Sequence, residues 1–81
     1  MNRDKFQAGD RVEVHCTHMR AGQRVAGWAP GVVVSADHRM AAVRFDTDVF
    51  SSNGWPIPDR ILWCAHGSRN LRRAETESAA P

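Results

Sequence analysis

Hydrophobic and polar positions alternate in short stretches of this chain, and each such stretch predicts a β-strand. Between Arg11 and Cys16, apolar residues occupy every second position and polar residues occupy the others. Gly31–Ser35 is a β-branched run, and Met40–Phe45 alternates again. A period of two places each set of side chains on its own face of a strand. The pattern predicts an antiparallel sheet with one dry face, centred on a hairpin over 27–46.

The rest of the chain predicts two more strands and two long connections. Residues 60–65 are apolar on both faces, which predicts a strand covered at least partly on both sides. Residues 66–68 predict a single helical turn, and 69–73 a short closing strand. Residues 17–26 are polar and 47–59 contain two prolines, so both are predicted to be long irregular loops. No stretch of a dozen residues keeps a helical apolar period.

These elements predict a single all-β domain, a five-stranded barrel with long first and third loops. The barrel is expected over 6–73, after a flexible N-terminus at 1–5 and before a disordered tail at 74–81. A chain of 81 residues with 42% hydrophobic residues supports one globular core. Closure into a barrel would remove the exposed edges of an open sheet.

Charge and cysteine content indicate the compartment and the kind of partner. The formal net charge is +2, and ten of the eleven basic residues are arginine. Because arginine contacts phosphate and carboxylate in a bidentate manner, the bias favours nucleic acid or an acidic partner; a GC-rich genome is the alternative explanation. Two cysteines are too few for a secreted disulfide scaffold, and no apolar run would span a bilayer or form a signal peptide. A cytoplasmic protein without membrane association is predicted.

Several short motifs follow one another in a recognisable order: Gly9–Val14, Gly27–Trp28 with Pro30–Val34, Val43–Asp46, and Leu71–Arg72. In this order the chain resembles the SH3-like small barrels of the Tudor and KOW kind, over about 6–73. The resemblance implies a five-stranded SH3-like barrel. Tudor-type members bind methylated lysine or arginine in aromatic cages, and others bind RNA, DNA or proteins.

The length and the opening Gly9–Val12 are also similar to the plasmid-borne dihydrofolate reductases that assemble SH3-like barrels into tetramers. This chain lacks the Val-Gln-Ile-Tyr run of their active site, so that activity is not predicted. The histidines and aspartates show no spacing that combines a nucleophile, a base and an orienting group. No enzyme, no catalytic residue and no cofactor are predicted.

Aromatic residues at strand ends and in the long connections are the strongest binding candidates, because such positions surround one rim of a Tudor-like barrel. Their rings could hold a methylated cation or stack unpaired bases, with arginines nearby for phosphates. The absence of tyrosine counts against a Tudor cage. In the alternative interpretation Trp28, Phe45 and Trp63 fill the core and Trp55 caps a loop. The predicted binding residues are Trp28, Phe45, Phe50, Trp55, Arg24, Arg44, Arg60, Arg69 and Arg72.

Two other groups of residues allow more than one interpretation. The late arginines, which include Arg73, are either a phosphate-contacting strip or a solvated edge that discourages strand pairing. The Cys16–His18 and Cys64–His66 pairs could meet as a zinc site or through a disulfide. The interpretation preferred here is two buried thiols with surface histidines, and no metal is predicted.

The sequence therefore predicts a small non-enzymatic binding module. The leading hypothesis is nucleic-acid binding or regulation through arginines and exposed aromatics. The alternative is a protein-interaction module, oligomeric or specific for a methylated cation or a peptide, and encoded on a mobile element.

Overall fold

The computed structural model of this protein describes residues 5–74, which form six β-strands. The strands are β1 (Arg11–Arg20), β2 (Gln23–Ala36), β3 (Met40–Phe45), β4 (Val49–Phe50), β5 (Ile61–Ala65) and β6 (Leu71–Arg73). No helix occurs within these residues, so none there could cross a membrane. The single helical turn predicted at 66–68 is not confirmed, and hydrogen-bonded turns connect β5 to β6 instead.

The strands form one antiparallel sheet that curls into a half-barrel, so the all-β prediction is confirmed. The sheet order is β4-β1-β2-β3-β5, and β6 pairs with β1 on the same side as β4. β6 lies beside Val12–Val14, while β4 lies further along β1, beside Thr17 and His18. β1 is therefore the central strand, which holds β2 along one edge and two short strands along the other.

The predicted long loop at 17–26 is wrong, because these residues continue β1 and β2 as a paired hairpin. Arg20 pairs with Gln23, and only Ala21 and Gly22 lie between the two strands. Both turn residues have positive φ, 52° and 80°, as a two-residue type I′ turn requires. The residues of this arm lack the apolar alternation that marks the first half of β1, so the pattern did not indicate strands.

The second long connection, 47–59, is largely irregular, as predicted from its prolines. It contains the two-residue strand β4 and one isolated bridge between Phe50 and Pro56. Backbone bonds from Met19 N–H to Asp48 O (2.9 Å) and from Ile57 N–H to Val49 O (2.9 Å) fasten the connection to the sheet. The connection therefore folds back over the end of β1.

The core lies on the concave face of the sheet and matches the predicted alternation of β1 and β3. Val12 and Val14 from β1 and Val43 and Phe45 from β3 are all buried. The buried cluster is completed by Phe6, Ala29, Val33, Ala41, Val49 and Leu71. Most of its members are small or β-branched, and Phe6, Phe45 and Leu71 are its larger side chains.

A buried histidine anchors the first described residues to the half-barrel. Phe6 N–H donates to His66 Nδ1 at 3.0 Å, and His66 Nε2 lies 2.6 Å from Asp37 O. Because Nδ1 accepts a hydrogen bond, Nε2 carries the proton and donates it to the carbonyl. His18 is buried too, with Nδ1 3.0 Å from Cys16 O. The prediction that these two histidines lie on the surface is wrong.

The predicted termini fall largely outside the described residues. Of the N-terminal segment 1–5, only Lys5 is described, and it is exposed. Of the tail 74–81, only Ala74 is described. It is buried, and its N–H donates to Arg11 O at 3.2 Å, so the ordered domain extends one residue beyond its predicted end.

The hairpin between β2 and β3 depends on one carboxylate and gives a pH-dependent prediction. Asp37 Oδ1 accepts hydrogen bonds from Arg39 N–H and Met40 N–H, each at 2.8 Å. These bonds, that of Met40 foremost, hold the pKa of Asp37 below its ordinary value. Because the folded pKa is lowered, the stabilisation is present above the unfolded pKa and is lost as pH falls through the folded pKa.

We therefore expect Asp37→Asn to be less stable than the wild type at neutral pH. The difference should shrink as the pH falls through and below the ordinary pKa of an aspartate, because the wild-type carboxylate then takes up a proton. Urea unfolding at several pH values measures both quantities. A difference of constant size across this range would contradict a role for the carboxylate charge.

Candidate functional site

The structure separates the predicted binding aromatics instead of placing them around one rim. Phe45 belongs to the core and is 3% exposed, so it cannot stack on a ligand in this conformation. Trp28 lies on the convex face of β2, where it is partly buried. Phe50 and Trp55 lie together in the second connection, beside the end of the β1–β2 hairpin.

An arginine lies over Phe50 at this hairpin end. The guanidinium carbon of Arg24 is 3.9 Å from the centroid of the Phe50 ring, which is 9% exposed. Register explains the contact, because Phe50 pairs with Thr17 on β1 and Arg24 pairs with Met19 two residues further on. The two side chains therefore lie on the same face of the sheet. A guanidinium over an aromatic ring is attracted by the electron-rich ring face.

The connection after β4 presents a tryptophan beside this arginine. Ser51 and Trp55 close a short loop through Ser51 N–H to Trp55 O (2.8 Å) and Trp55 N–H to Ser51 Oγ (3.1 Å). Gly54 has φ of +87° and lies close to the Arg24 guanidinium, because a Cβ there would be 4.0 Å from Arg24 Nη1. Trp55, the next residue, is 72% exposed. We call Arg24, Phe50 and Trp55 the hairpin-end site.

The charge of the hairpin-end site is not compensated by a carboxylate. Within residues 5–74, Arg24 has no carboxylate partner, and it is exposed. Arg20 is exposed at the same hairpin end but lies on the opposite face of the sheet, because it shares the even positions of β1 with the buried His18. The site therefore combines one available cation with one accessible indole ring.

Arg60, by contrast, has a structural role in its loop. Its Nε and Nη2 atoms donate to Asp48 Oδ1 at 3.0 and 2.8 Å, and Nη1 donates to Asp46 O at 3.2 Å. Its backbone has φ of 57°, which is uncommon for a residue with a side chain. The side chain holds together the two ends of the second connection.

Trp28 is also engaged within the protein. The guanidinium carbon of Arg72 lies 3.7 Å from its ring centroid, and Arg72 Nε donates to Glu13 Oε1 at 2.8 Å. His15 contacts the same ring edge-on, at 5.4 Å between centroids. One face of this indole is covered by the chain's own cation.

The other predicted arginines are dispersed. Arg44 lies on the convex face of β3, opposite Val32 and Ile61, and Arg69 lies in the turn before β6. Both are exposed, and neither has an ion pair among the described residues. Arg73 donates to Asp10 Oδ2 at 3.3 Å, and its guanidinium carbon lies 4.7 Å from the Phe6 ring centroid. The late arginines therefore do not form one continuous strip.

The two cysteines are free thiols that lie against the core. Burial raises the pKa of Cys16 to about 11, with a smaller contribution from Cys64, whose own pKa is raised by burial. Both are therefore protonated at neutral pH, which makes them poor nucleophiles. Among the described residues, no three His, Cys, Asp or Glu side chains come together to hold a metal.

Trp63 lies on the surface, contrary to the prediction that β5 is covered at least partly on both sides and to the interpretation that places Trp63 in the core. Its side chain is instead 56% exposed on the convex face, beside Ala42 of β3. The sequence signal for an exposed Trp63 was that 60–65 is apolar on both faces. A strand at the edge of a sheet can leave one of two apolar faces exposed to solvent.

Comparisons with protein-family models, curated proteins and solved structures gave no match to this chain. The geometry of the described residues is therefore the basis for a functional proposal.

Proposed function

We propose that this protein is a non-enzymatic, cytoplasmic module that binds single-stranded nucleic acid at the hairpin-end site. We also propose that its half-barrel is of the SH3-like type. The strand order β6-β1-β2-β3-β5, with a short turn between β5 and β6, supports that assignment. Fold alone does not select a ligand, so the functional proposal depends on the site.

The observation that carries the proposal is the Arg24 guanidinium stacked on Phe50 beside an exposed Trp55. Stacking restricts Arg24 before any ligand arrives, so less side-chain entropy is lost when the guanidinium binds a phosphate. Trp55 offers a ring on which an unpaired base can stack. Alternating bases and phosphates of a single strand match this combination of an indole and a guanidinium group.

The same contacts favour nucleic acid over a methylated-cation ligand. The faces of Phe50 and Trp28 lie 3.9 and 3.7 Å from guanidinium carbons of the chain itself. A methylated lysine would have to displace one of these cations before it could enter a cage. A phosphate requires no such displacement, because it binds the guanidinium where it lies.

We expect Trp55→Ala to weaken binding of a fluorescein-labelled oligothymidine of about twelve nucleotides. Loss of one stacked base costs about 1–3 kcal/mol, which corresponds to about 5- to 150-fold in the dissociation constant. Trp55→Phe should retain most of the affinity, because it keeps a ring. Fluorescence anisotropy measures all three proteins. Equal affinity for the alanine and phenylalanine variants would contradict stacking at this position.

The contribution of Arg24 is tested by salt dependence. Arg24→Ala should reduce the slope of log affinity against log salt concentration by about 1, between about 50 and 200 mM salt. Arg39→Ala is the matched control, since it removes the same charge at the opposite end of β2 and should leave the slope nearly unchanged. An equal loss in both variants would indicate unspecific attraction, and no anisotropy change at micromolar protein and low salt would remove the proposal.

A further inference from the structure

Hydrogen bonds at the two ends of the β3–β5 ladder show which residues of β5 direct their backbone N–H and C=O groups towards β3. Phe45 N–H donates to Arg60 O at 2.9 Å, and His66 N–H donates to Arg39 O at 3.1 Å. Hydrogen-bonded and non-hydrogen-bonded pairs alternate along an antiparallel ladder. The even-numbered residues of β5 therefore direct their backbone groups towards β3.

The odd-numbered residues Ile61, Trp63 and Ala65 direct their backbone groups to the other edge of β5. No strand among residues 5–74 pairs with that edge. Two of its groups have local partners, because Ile61 N–H donates to Asp59 Oδ1 at 3.1 Å and Ala65 O accepts from Ser68 N–H at 3.0 Å. The carbonyl of Ile61, the N–H of Ala65 and both backbone groups of Trp63 lack a backbone partner in the described chain.

This arrangement is self-complementary about a two-fold axis at Trp63. If two β5 edges pair antiparallel with Trp63 opposite its copy, Ile61 of one chain lies opposite Ala65 of the other. Each Trp63 N–H then donates to the other Trp63 carbonyl, and each Ala65 N–H donates to the opposite Ile61 carbonyl. The remaining groups of these pairs, Ile61 N–H and Ala65 O, are the two that already have partners. The register would thus add four backbone hydrogen bonds and leave no edge group without a partner.

The side chains of β5 do not oppose such pairing. Native sheets usually protect an edge with charge, proline or a bulge, and the sequence of β5, ILWCA, has no charged residue and no proline. Trp63 is 56% exposed, and Val32 and Val34 are exposed on the same convex face. Pairing would place two Trp63 rings opposite each other, and aromatic cross-strand pairs stabilise sheets.

From these observations we propose that the chain forms a symmetric homodimer in which two copies pair through the β5 edges and continue one sheet across the two-fold axis. The interface is isologous, so it closes at two copies. It lies on β5 and does not include the hairpin-end site.

The mass of the protein in solution tests the dimer. We expect sedimentation at micromolar concentration to give twice the chain mass of 9.0 kDa. Trp63→Lys should give the monomer, because it places two like charges opposite each other at the axis. Trp55→Lys is the matched control, and it should remain dimeric because Trp55 lies outside β5. A wild-type monomer, or a dimer that persists in Trp63→Lys, would overturn the proposal.

A cysteine crosslink tests the register. In a Cys16→Ser, Cys64→Ser background, Trp63→Cys should form an interchain disulfide on mild oxidation, because directly opposite Cα atoms lie about 5.5 Å apart. Ile61→Cys in the same background should not crosslink, since the two copies of residue 61 would be about 13 Å apart. Combining Ile61→Cys with Ala65→Cys should restore the crosslink. Efficient crosslinking of Ile61→Cys alone would show a different register and contradict the two-fold axis at Trp63.

Discussion

Phe45→Ala is expected to lower the free energy of unfolding by about 3–5 kcal/mol. Phe45 is 3% exposed and lies in a core otherwise composed mainly of valines and alanines. A close-packed core relaxes only partly around the cavity that the lost ring would leave. Because small domains have only about 5–15 kcal/mol of stability, this single change would populate unfolded chains. Urea unfolding followed by circular dichroism measures the effect.

The control for this prediction is Trp55→Ala, which removes a larger aromatic side chain from the surface. Trp55 is 72% exposed, so its loss should change stability by no more than about 0.5 kcal/mol. The two variants should therefore behave oppositely: Phe45→Ala unfolds at lower urea, and Trp55→Ala loses oligonucleotide affinity at unchanged stability. If Phe45→Ala kept the wild-type midpoint and lost binding, Phe45 would be a surface ligand contact after all.

The parts of the fold that followed from the sequence are those in which burial imposes a period. Val12 and Val14 alternate with polar residues because β1 has a dry concave face, and Val43 and Phe45 repeat that pattern on β3. Burial of one face of the sheet produces both the alternating sequence and the hydrophobic core, so the alternation predicts which residues form the core. The prolines of the second connection were equally informative, since proline cannot donate a hydrogen bond within a central strand.

The hairpin arm could not be predicted in this way. Its turn is Ala21–Gly22, where alanine occupies a positive-φ position that asparagine, aspartate or glycine usually occupies. The side chains that pack along the arm are polar, because His18 is buried beside Val49 of β4 and Arg24 lies over Phe50. They give no apolar period, so the long polar stretch predicts a loop.

The sequence predicts which residues belong to the candidate site, but it does not predict which of them contact one another. Arg24, Phe50 and Trp55 were all among the predicted binding residues, and the structure brings them together. Arg72 and Trp28 were predicted as ligand contacts as well, and the structure stacks them on each other. Which arginine covers which ring depends on strand register, and a single sequence does not determine the register of distant strands.

Gly31→Ala is expected to destabilise the protein by about 3 kcal/mol, near the upper end for overpacking a core. A Cβ at Gly31 would lie 2.6 Å from Val43 Cγ1, 2.9 Å from Arg44 O and 3.3 Å from Phe45 Cδ2. Val43 is fully buried, and the carbonyl belongs to the adjacent strand, so neither can move without separating β2 from β3. The glycine thus provides the space in which the Phe45 ring packs across the sheet.

Gly27→Ala is the matched control on the same strand, because a Cβ there meets nothing within 4 Å. It should leave stability unchanged or raise it by up to about 1 kcal/mol, since a strand glycine loses more backbone entropy on folding than alanine. The double variant Gly31→Ala, Val43→Ala separates the two clashes. Shortening Val43 removes the contact with Cγ1 and leaves the one with Arg44 O, so the double variant should be destabilised by less than the sum of the single changes. If the effects of the two single changes on stability were strictly additive, movement of the strands would be relieving the clash with Val43. The close approach of β2 and β3 at Gly31 would then not limit stability.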